Sequence, residues 1–460
     1  MKKILFILLF TSSIASAQHR ADKWYFGVLA ALDFTGGNPV AVSLSSINTN
    51  EGCSSISDSL GNLLFYTDGL MVWNRNHTPM PNGTGLMGGI SATQSALIVP
   101  FPGSTTLYYI FTVDEIGGAN GFRYSEVDMN LDAGMGDVTS NKNIFILDHV
   151  TEKLSSVQHS NGSDYWIAVH EWGSDAFYVY QLTTTGLQSI PVISHTGMVH
   201  DSTQIQNTYG QMKFSFCGDK LALAAGYLNK AELFSFDNTT GVVYNPVLLS
   251  FFDHVYGIEF SSEGSRLYVS TYSGGGTVEQ FDLSSGISAT IIASQINVAF
   301  VSDVYALQFG PDGKIYVCKS FNSFLGVINN PSALGPLCNY VDLGVDLDPN
   351  FNGVTSALGL PGFPQSFLRN NDDCLITGVS DVLTSTEISL YPNPSYGNFT
   401  LRLHEPSVEI VVYDLALRII ERSSIAQTDF YYGESYAPGI YFVLVKTKTT
   451  MQIIRSVKLK

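Results

Sequence analysis

The sequence predicts an all-β protein: a seven-bladed β-propeller followed by a small C-terminal β-sandwich. Three observations carry the prediction. The 460 residues are 45% hydrophobic and only 14% charged, with 42 Gly, 24 Tyr and 28 Phe. That favours short strands and many turns over long amphipathic helices. A strand–Gly turn–strand pattern recurs along the chain at the length of a propeller blade. The last 75 or so residues then switch to short alternating strands without that repeat.

The chain opens with "MKKILFILLFTSSIASA". Two lysines, a short apolar run and Ala15-Ser16-Ala17 read as a secretory signal peptide over residues 1–17, cleaved before Gln18. The apolar run is too short to span a bilayer, and no later segment is apolar enough to serve as a transmembrane segment.

The propeller is expected over residues 20–368. "FGPDGKIYV" places Gly313 in a hairpin turn, and "FSSEGSRLYVS", "FSFCGDKLALA", "QHSNGSDYWIAV", "VPFPGSTTLYYIF" and "SDSLGNLLFYT" place Gly264, Gly218, Gly162, Gly103 and Gly61 likewise. Glycine suits a hairpin turn that needs positive φ. Segments such as "AELFSFDNTTGVV" and "TVEQFDLSSGI" follow these hairpins and supply third and fourth strands. Six blades are read directly. A seventh is expected to be split, with Trp24–Phe34 giving outer strands and Leu358–Phe363 the innermost one, which would close the ring and leave no open edge there.

A polar stretch over residues 369–384 reads as a linker. Residues 385–460 then alternate, with Phe399, Leu401 and Leu403 on one face and Ile440, Phe442 and Leu444 expected on the inner face of another strand. Six or seven such strands make a small sandwich.

The formal charge is −17, although leader and tail are both slightly basic. A surface this acidic repels phosphate backbones and anionic lipid, which argues against nucleic acid as a partner. The five cysteines (Cys53, Cys217, Cys318, Cys338, Cys374) include no CxxC pair of the kind zinc sites use. Buried apolar thiols are the plainer reading, with Cys318–Cys338 as a candidate bridge in an exported chain.

"YPNPSYGNF", "VEIVVYDLALRII" and "GIYFVLVKT…VKLK" occur in order in the tail. Together they resemble the type A C-terminal sorting domain of the type IX secretion system of Bacteroidetes. The motif residues are Tyr391, Pro392, Asn393, Pro394 and Gly439. Ala416-Leu417-Arg418 departs from the family, which usually has Gly before the Arg. The resemblance implies the type IX machinery as a partner, export through the periplasm, removal of the tail, and a secreted or surface-attached product. The stretches "WYFG…LDFTGGNPVAV" and "TQSALIVPFPGSTTLYYIFTVD" resemble a propeller-like region of large exported Bacteroidetes proteins, which brings no catalytic residues.

Propellers gather their second-to-third-strand and blade-to-blade loops at one end of the axis. The residues after each second strand are Asp68, Asp114 with Glu115, His170 with Glu171, Tyr227, Tyr272 and Lys319. That rim is expected to be acidic in its first half and aromatic or mixed in its second. Carboxylates accept hydroxyl hydrogen bonds and aromatic faces pack on sugar rings, so a glycan or protein ligand suits it. Ordinary turn chemistry is the competing reading for any single residue, Asp68-Gly69 above all. No catalytic residue is assigned. His170-Glu171, with His159, His195 and His200 nearby, is the most enzyme-like group, but the chain carries no HExxH spacing and no nucleophile elbow. "DLDPNFNG" spaces Asp346, Asp348 and Asn350 as a calcium loop would, yet Phe351 and Ala357 stand where an EF-hand needs Gly and Glu. Calcium is the one cofactor the sequence suggests.

The expectation is therefore an exported propeller that binds or adheres. The alternative is a secreted propeller-type polysaccharide lyase or hydrolase, which would need ionisable groups converging at the channel mouth.

Overall fold

The computed structural model describes residues 19–368, 389–402, 409–414, 418–423, 429–446 and 451–459. The signal peptide, the linker, Leu403, Cys374 and Ala416-Leu417 lie outside the described residues. The chain divides into two compact units, residues 1–374 and 375–460.

In the first unit the described strands form seven sheets. The first has three strands (Lys23–Phe26, Ala30–Asp33, Val40–Ala41). The second meanders through Cys53–Ser57, Leu63–Thr67, Met71–Asn74 and Pro79–Thr84. The next five begin with inner strands Ala96–Pro100, Val150–Gln158, Met212–Phe214, Val255–Phe260 and Val304–Phe309, each leading into further antiparallel strands. Inner strands are almost wholly buried because both their faces meet neighbouring sheets, and each sheet packs on the next in order. The seventh meets the first where Tyr316 sets its ring edge-on to Trp24, centroids 5.3 Å apart. This closed succession of radially packed sheets is a propeller. The repeated hairpin glycine takes positive φ, 67–82°, at all six positions read from the sequence, so one turn geometry explains the recurrence.

The expected ring closure is corrected. Leu358–Phe363 does not form a ladder with Trp24–Phe34. Pro361–Gly362 instead pairs in parallel with Cys53–Ser54 of the second sheet. The first sheet is met only through Thr355, which bridges Leu29 in parallel and Val28 antiparallel, Val28 N donating to Thr355 O (2.9 Å) and Thr355 N to Val28 O (3.2 Å). Pro361 and Pro364 carry no N–H, so this segment cannot sustain a longer ladder. It still clasps the ring, since Leu358 also accepts from Ala306 N of the seventh sheet and donates to Asn50 O before the second.

The axis is filled by polar side chains that join sheets across it. Gln94 Oε1 accepts from Leu154 N and Met212 N (3.2 and 2.8 Å), bonding the third sheet to the fourth and fifth. Gln211 Oε1 accepts from Ile258 N and Leu307 N (3.1 and 3.0 Å). The Lys213 ammonium, buried, donates to Glu259 Oε2 (2.6 Å), Leu307 O (2.7 Å) and Gln308 Oε1 (2.8 Å). Burial pushes the Lys213 ammonium down and the Glu259 carboxyl up, while their contact opposes both shifts. What remains between these groups is a cavity of about 10 Å³, room for one water.

Cys53, Cys318 and Cys338 are free and buried, so the candidate Cys318–Cys338 bridge is absent. Cys318 Sγ instead donates to Ala357 O at 3.3 Å. Cys217 is disulfide-bonded.

The second unit is a sandwich. One sheet orders Ser389–Tyr391, Phe399–Arg402 and Asp429–Tyr432; the other orders Ile419–Ser423, Glu409–Asp414, Gly439–Lys446 and Met451–Lys458. Both contribute to its core. Phe399 and Leu401 point inward as expected, but Gly439–Lys446 has the opposite phase: Tyr441, Val443 and Val445 are buried, while Ile440, Phe442 and Leu444 are not. Every second position along this strand was apolar on both faces, so alternation alone could not fix its phase.

Candidate functional site

At one end of the axis the second-to-third-strand loops meet the segments that enter the inner strands. Three inner strands carry a register shift at this end, at Val150/Leu154, Val255/Ile258 and Val304/Leu307. Such a bulge re-aims side chains at a strand end. Here it presents Glu152, Tyr256 and Tyr305, one from each of three sheets.

Glu51, just before the second sheet, sits at the junction of these elements. Its Oε1 accepts from Ser91 Oγ (2.9 Å) and its Oε2 from Tyr256 OH (2.8 Å) on the sixth sheet. Burial pushes its carboxyl up to about 7, reinforced by the charge of Glu152. Glu152 accepts from Thr93 N and Oγ1, Ile116 N and Thr208 Oγ1 at 2.9–3.1 Å. Burial raises its pKa against those bonds. Lys153, also buried, donates to Thr208 O and Tyr209 O (2.7 and 2.9 Å), and burial lowers its pKa despite the adjacent Glu152. Glu115 Oε2 accepts from Ser91 N (2.8 Å), which links it to the group around Glu51.

On the other side the rim is aromatic. Tyr227 stacks on His254, centroids 4.2 Å apart, and His254 packs on Tyr272 at 5.5 Å. Tyr272 stacks on Tyr305 (5.2 Å), and Tyr256 meets both edge-on. Burial, then neighbouring phenols, raises the Tyr272 hydroxyl pKa. A continuous run thus leads from Tyr227 through His254, Tyr272, Tyr305 and Tyr256 to Glu51, Ser91 and Glu115.

Of the rim residues read from the sequence, Glu115, Tyr227 and Tyr272 belong to this run. Asp114 lies beside it and holds a turn, accepting from Glu115 N and Asn120 N. Asp68 likewise spends Oδ1 on Leu70 N and Met71 N of its own turn, and burial raises its pKa. Glu171 accepts from Tyr178 OH at 3.4 Å. Lys319 turns along its sheet to Asp342 Oδ1 (3.1 Å) and Asp342 O (2.9 Å). His170 is fully buried, its ring 4.1 Å from that of His200 and edge-on to Phe177. His170, Glu171, Asp114 and Glu115 therefore do not converge on one point. Asp346 and Asp348 use carboxylate oxygens on backbone amides of their own loop: Asp348 N, and Asn352 N and Gly353 N. Asn350 is exposed beside them. Among the described residues no group of three or more His, Cys, Asp or Glu is placed to hold a metal.

Sequence reasoning missed Glu51, Glu152, His254, Tyr256 and Tyr305. The signal for three of them lay in the repeat itself: "VTEKL", "VYGI" and "VYAL" begin three inner strands and set Glu152, Tyr256 and Tyr305 at matching places.

In the second unit, Tyr391-Pro392-Asn393-Pro394 leads out of the first strand. Asn393 Oδ1 accepts from Val457 N (2.9 Å), and Ser395 N donates to Val457 O (2.9 Å), so the motif is tied to the last strand. Gly439 opens the strand that pairs with that same last strand, opposite Lys458.

No curated protein matches the sequence. Among solved structures the chain is similar to PorZ, a surface component of the type IX secretion system of Porphyromonas gingivalis, at 13% identity and a TM-score of 0.38. That match covers 96% of this chain but 60% of PorZ, so the chain spans less than two thirds of that protein. It is also similar to a putative 6-phosphogluconolactonase of Bacteroides fragilis (11% identity, 74% of this chain and 97% of that one, TM-score 0.47). A periplasmic gluconolactonase of Pseudomonas aeruginosa matches at 14% identity, over 77% and 96% of the two chains, with a TM-score of 0.37. Residues 389–459 match the family described as a secretion system C-terminal sorting domain. No described helix is long and apolar enough to cross a membrane. The C-terminal unit, with its Tyr-Pro-Asn-Pro motif pinned to the last strand, is a type IX C-terminal sorting domain, and it directs the chain to the cell surface or the extracellular space.

Proposed function

We propose that the chain is a binding or adhesion module, delivered outside the cell by its sorting domain and engaging a glycan or protein ligand over the rim. The observation that carries this reading is the half-exposed aromatic run Tyr227–His254–Tyr272–Tyr305 leading to the half-buried carboxylate of Glu115, with Glu51 and Glu152 buried behind it. Aromatic faces supply contact area at low entropic cost, and the carboxylates fix polarity and orientation. The lyase or hydrolase alternative gains no support from these four residues: Glu171, Asp114 and Glu115 accept bonds from neighbouring protein groups, and His170 is buried against His200 and Phe177. Calcium, if bound, belongs to the Asp346–Asn350 loop, away from this run in sequence.

The test presents the secreted protein to arrayed glycans and arrayed peptides, with product analysis on the same polysaccharides. Saturable binding that Tyr272→Ala or Tyr305→Ala weakens, without turnover, is the expected result. Turnover of a polysaccharide, or binding indifferent to both substitutions, overturns the proposal.

A further inference from the structure

Most non-glycine residues with positive φ in this chain are Asn, Asp or His, which tolerate the left-handed region through local hydrogen bonds. Five are bulky and apolar: Leu29, Leu44, Ile116, Phe321 and Phe351, with φ of 45–83°. Leu29, beside Thr355, and Ile116, Phe321 and Phe351 lie in loops at one end of the ring, and Leu44 lies in the connection from the first sheet to the second. All five are also exposed. A left-handed backbone is costly for such side chains, and solvent gives nothing back for their exposure. Glycine or asparagine would serve each turn better.

Two further phenylalanines stand at the same end, Phe252 in a loop and Phe300 as the last residue of the strand Ile296–Phe300. Phe252 precedes the sixth sheet and Phe300 the seventh. With Phe351 they are the most exposed phenylalanines described, at 104%, 85% and 94% of full accessibility. Exposed apolar side chains gathered on one face mark an interaction surface. Inside this apolar crown Glu115 is half-buried, with half-buried Asp253 and exposed Asp303 in the segments beside Phe252 and Phe300, while Glu51 and Glu152 are buried beneath. The cations near this end are spent: Lys153 and Lys319 are buried and bonded, Lys230 donates to Ser250 Oγ, Arg123 to Asn120 O and Asn143 O, and Lys142 to Asn82 O and Thr84 O.

We infer that this end of the propeller docks a basic polypeptide segment whose apolar side chains seat against the strained crown while its Lys or Arg groups face the carboxylates within. The inference rests on the rim-binding reading and names its ligand. Charge decides the occupant. A second copy of this chain would bring like charge to the same face, since the sequence carries −17. A neutral glycan would leave the accessible carboxylates of Glu115, Asp253 and Asp303 without a counter-charge, which a Lys or Arg group supplies. Phenylalanine, with no polar handle, suits the apolar side chains of a partner protein.

The experiment uses the full secreted protein and three labelled peptides of equal length: Arg alternating with Leu and Phe, Glu alternating with Leu and Phe, and Arg alternating with Ser. A neutral glycan array is run alongside. The Arg/Leu/Phe peptide is expected to bind saturably, more weakly as salt rises, and the other two at least about tenfold less tightly. Phe321→Asn with Phe351→Asn is the decisive variant. It should weaken that peptide by about tenfold while raising Tm by roughly 1–2 °C, because Asn relieves the left-handed strain. Lowered Tm with unchanged affinity would overturn the inference and give the crown a structural role. Saturable glycan binding at the rim without peptide binding would overturn this inference and leave the rim-binding reading standing. Binding of no probe would defeat both.

Discussion

Acidification should loosen this propeller through His170. Its ring is fully buried between His200 and Phe177, and neither ring nitrogen of either histidine has a protein hydrogen-bond partner. The charged groups facing it are Lys153, which opposes protonation, and Asp175, which favours it but is paired with His195 at 2.8 Å. Burial, then the Lys153 charge, pushes His170 down to about 3 from 6.5; His200 shifts the same way. The unfolded chain takes up a proton near 6.5 while the fold refuses it. Stability from this residue is therefore complete above pH 6.5 and falls by about 1.4 kcal/mol per pH unit below it, until the folded value is reached. At pH 4.5, two units down, His170 alone removes about 2.7 kcal/mol. Glu51 and Glu232 act in the opposite sense. Their folded values, raised by burial to about 7 from 4.5, mean that the fold prefers them protonated, so stability from them grows as pH falls from 7 to 4.5. The total curve mixes both, and only a difference isolates the histidine. Guanidinium unfolding of wild type and His170→Leu at pH 7.5 and 4.5, at equal ionic strength, provides it. The variant should lose about 2–3 kcal/mol less than wild type on acidification. Equal losses in the two proteins would refute the reasoning, whatever their absolute stabilities.

Lys213→Met should destabilise by about 3–5 kcal/mol, because it leaves Glu259 buried without its cation; adding Glu259→Leu should recover most of that in the same denaturation assay, and no recovery would contradict the pairing account. Gly27→Ala should loosen the closing clasp: φ is 54° and an added Cβ would lie 2.5 Å from Thr355 O. A cost of roughly 1–3 kcal/mol and faster proteolysis within residues 355–368 are expected, and unchanged protection would count against it. Deleting residues 385–460 should leave the propeller in the periplasm, as fractionation would detect; normal delivery of the truncated chain would show that the sorting domain is dispensable.

The blade repeat was readable because one turn geometry needs glycine, and the turn recurs six times with only its flanks varying. The sorting domain was readable because its motif makes specific contacts with the last strand. The ring closure was not: Pro361 and Pro364 mark a segment that makes few ladder bonds, and such a segment has no strand signature to follow. The strand phase in Gly439–Lys446 failed for a related reason, since Ile440, Phe442 and Leu444 are as apolar as the residues that face the core. At the rim, reading only the residues after each second strand found Tyr227, Tyr272 and Glu115. It overlooked the starts of the inner strands, where a register shift turns Glu152, Tyr256 and Tyr305 to the same end from matching places in the repeat. It also counted His170 and Lys319, whose destinations depend on His200 and Asp342, residues 30 and 23 positions away.

The filled axis has a mechanical corollary. Gln94, Gln211, Lys213 and the Glu51–Tyr256 contact act as spokes through a hub, each fastening sheets that are not all sequential neighbours. An open array of repeats can fray unit by unit, because each unit touches only the next. A braced wheel cannot shed one sector without unhooking several others. The propeller should therefore melt in a single calorimetric step.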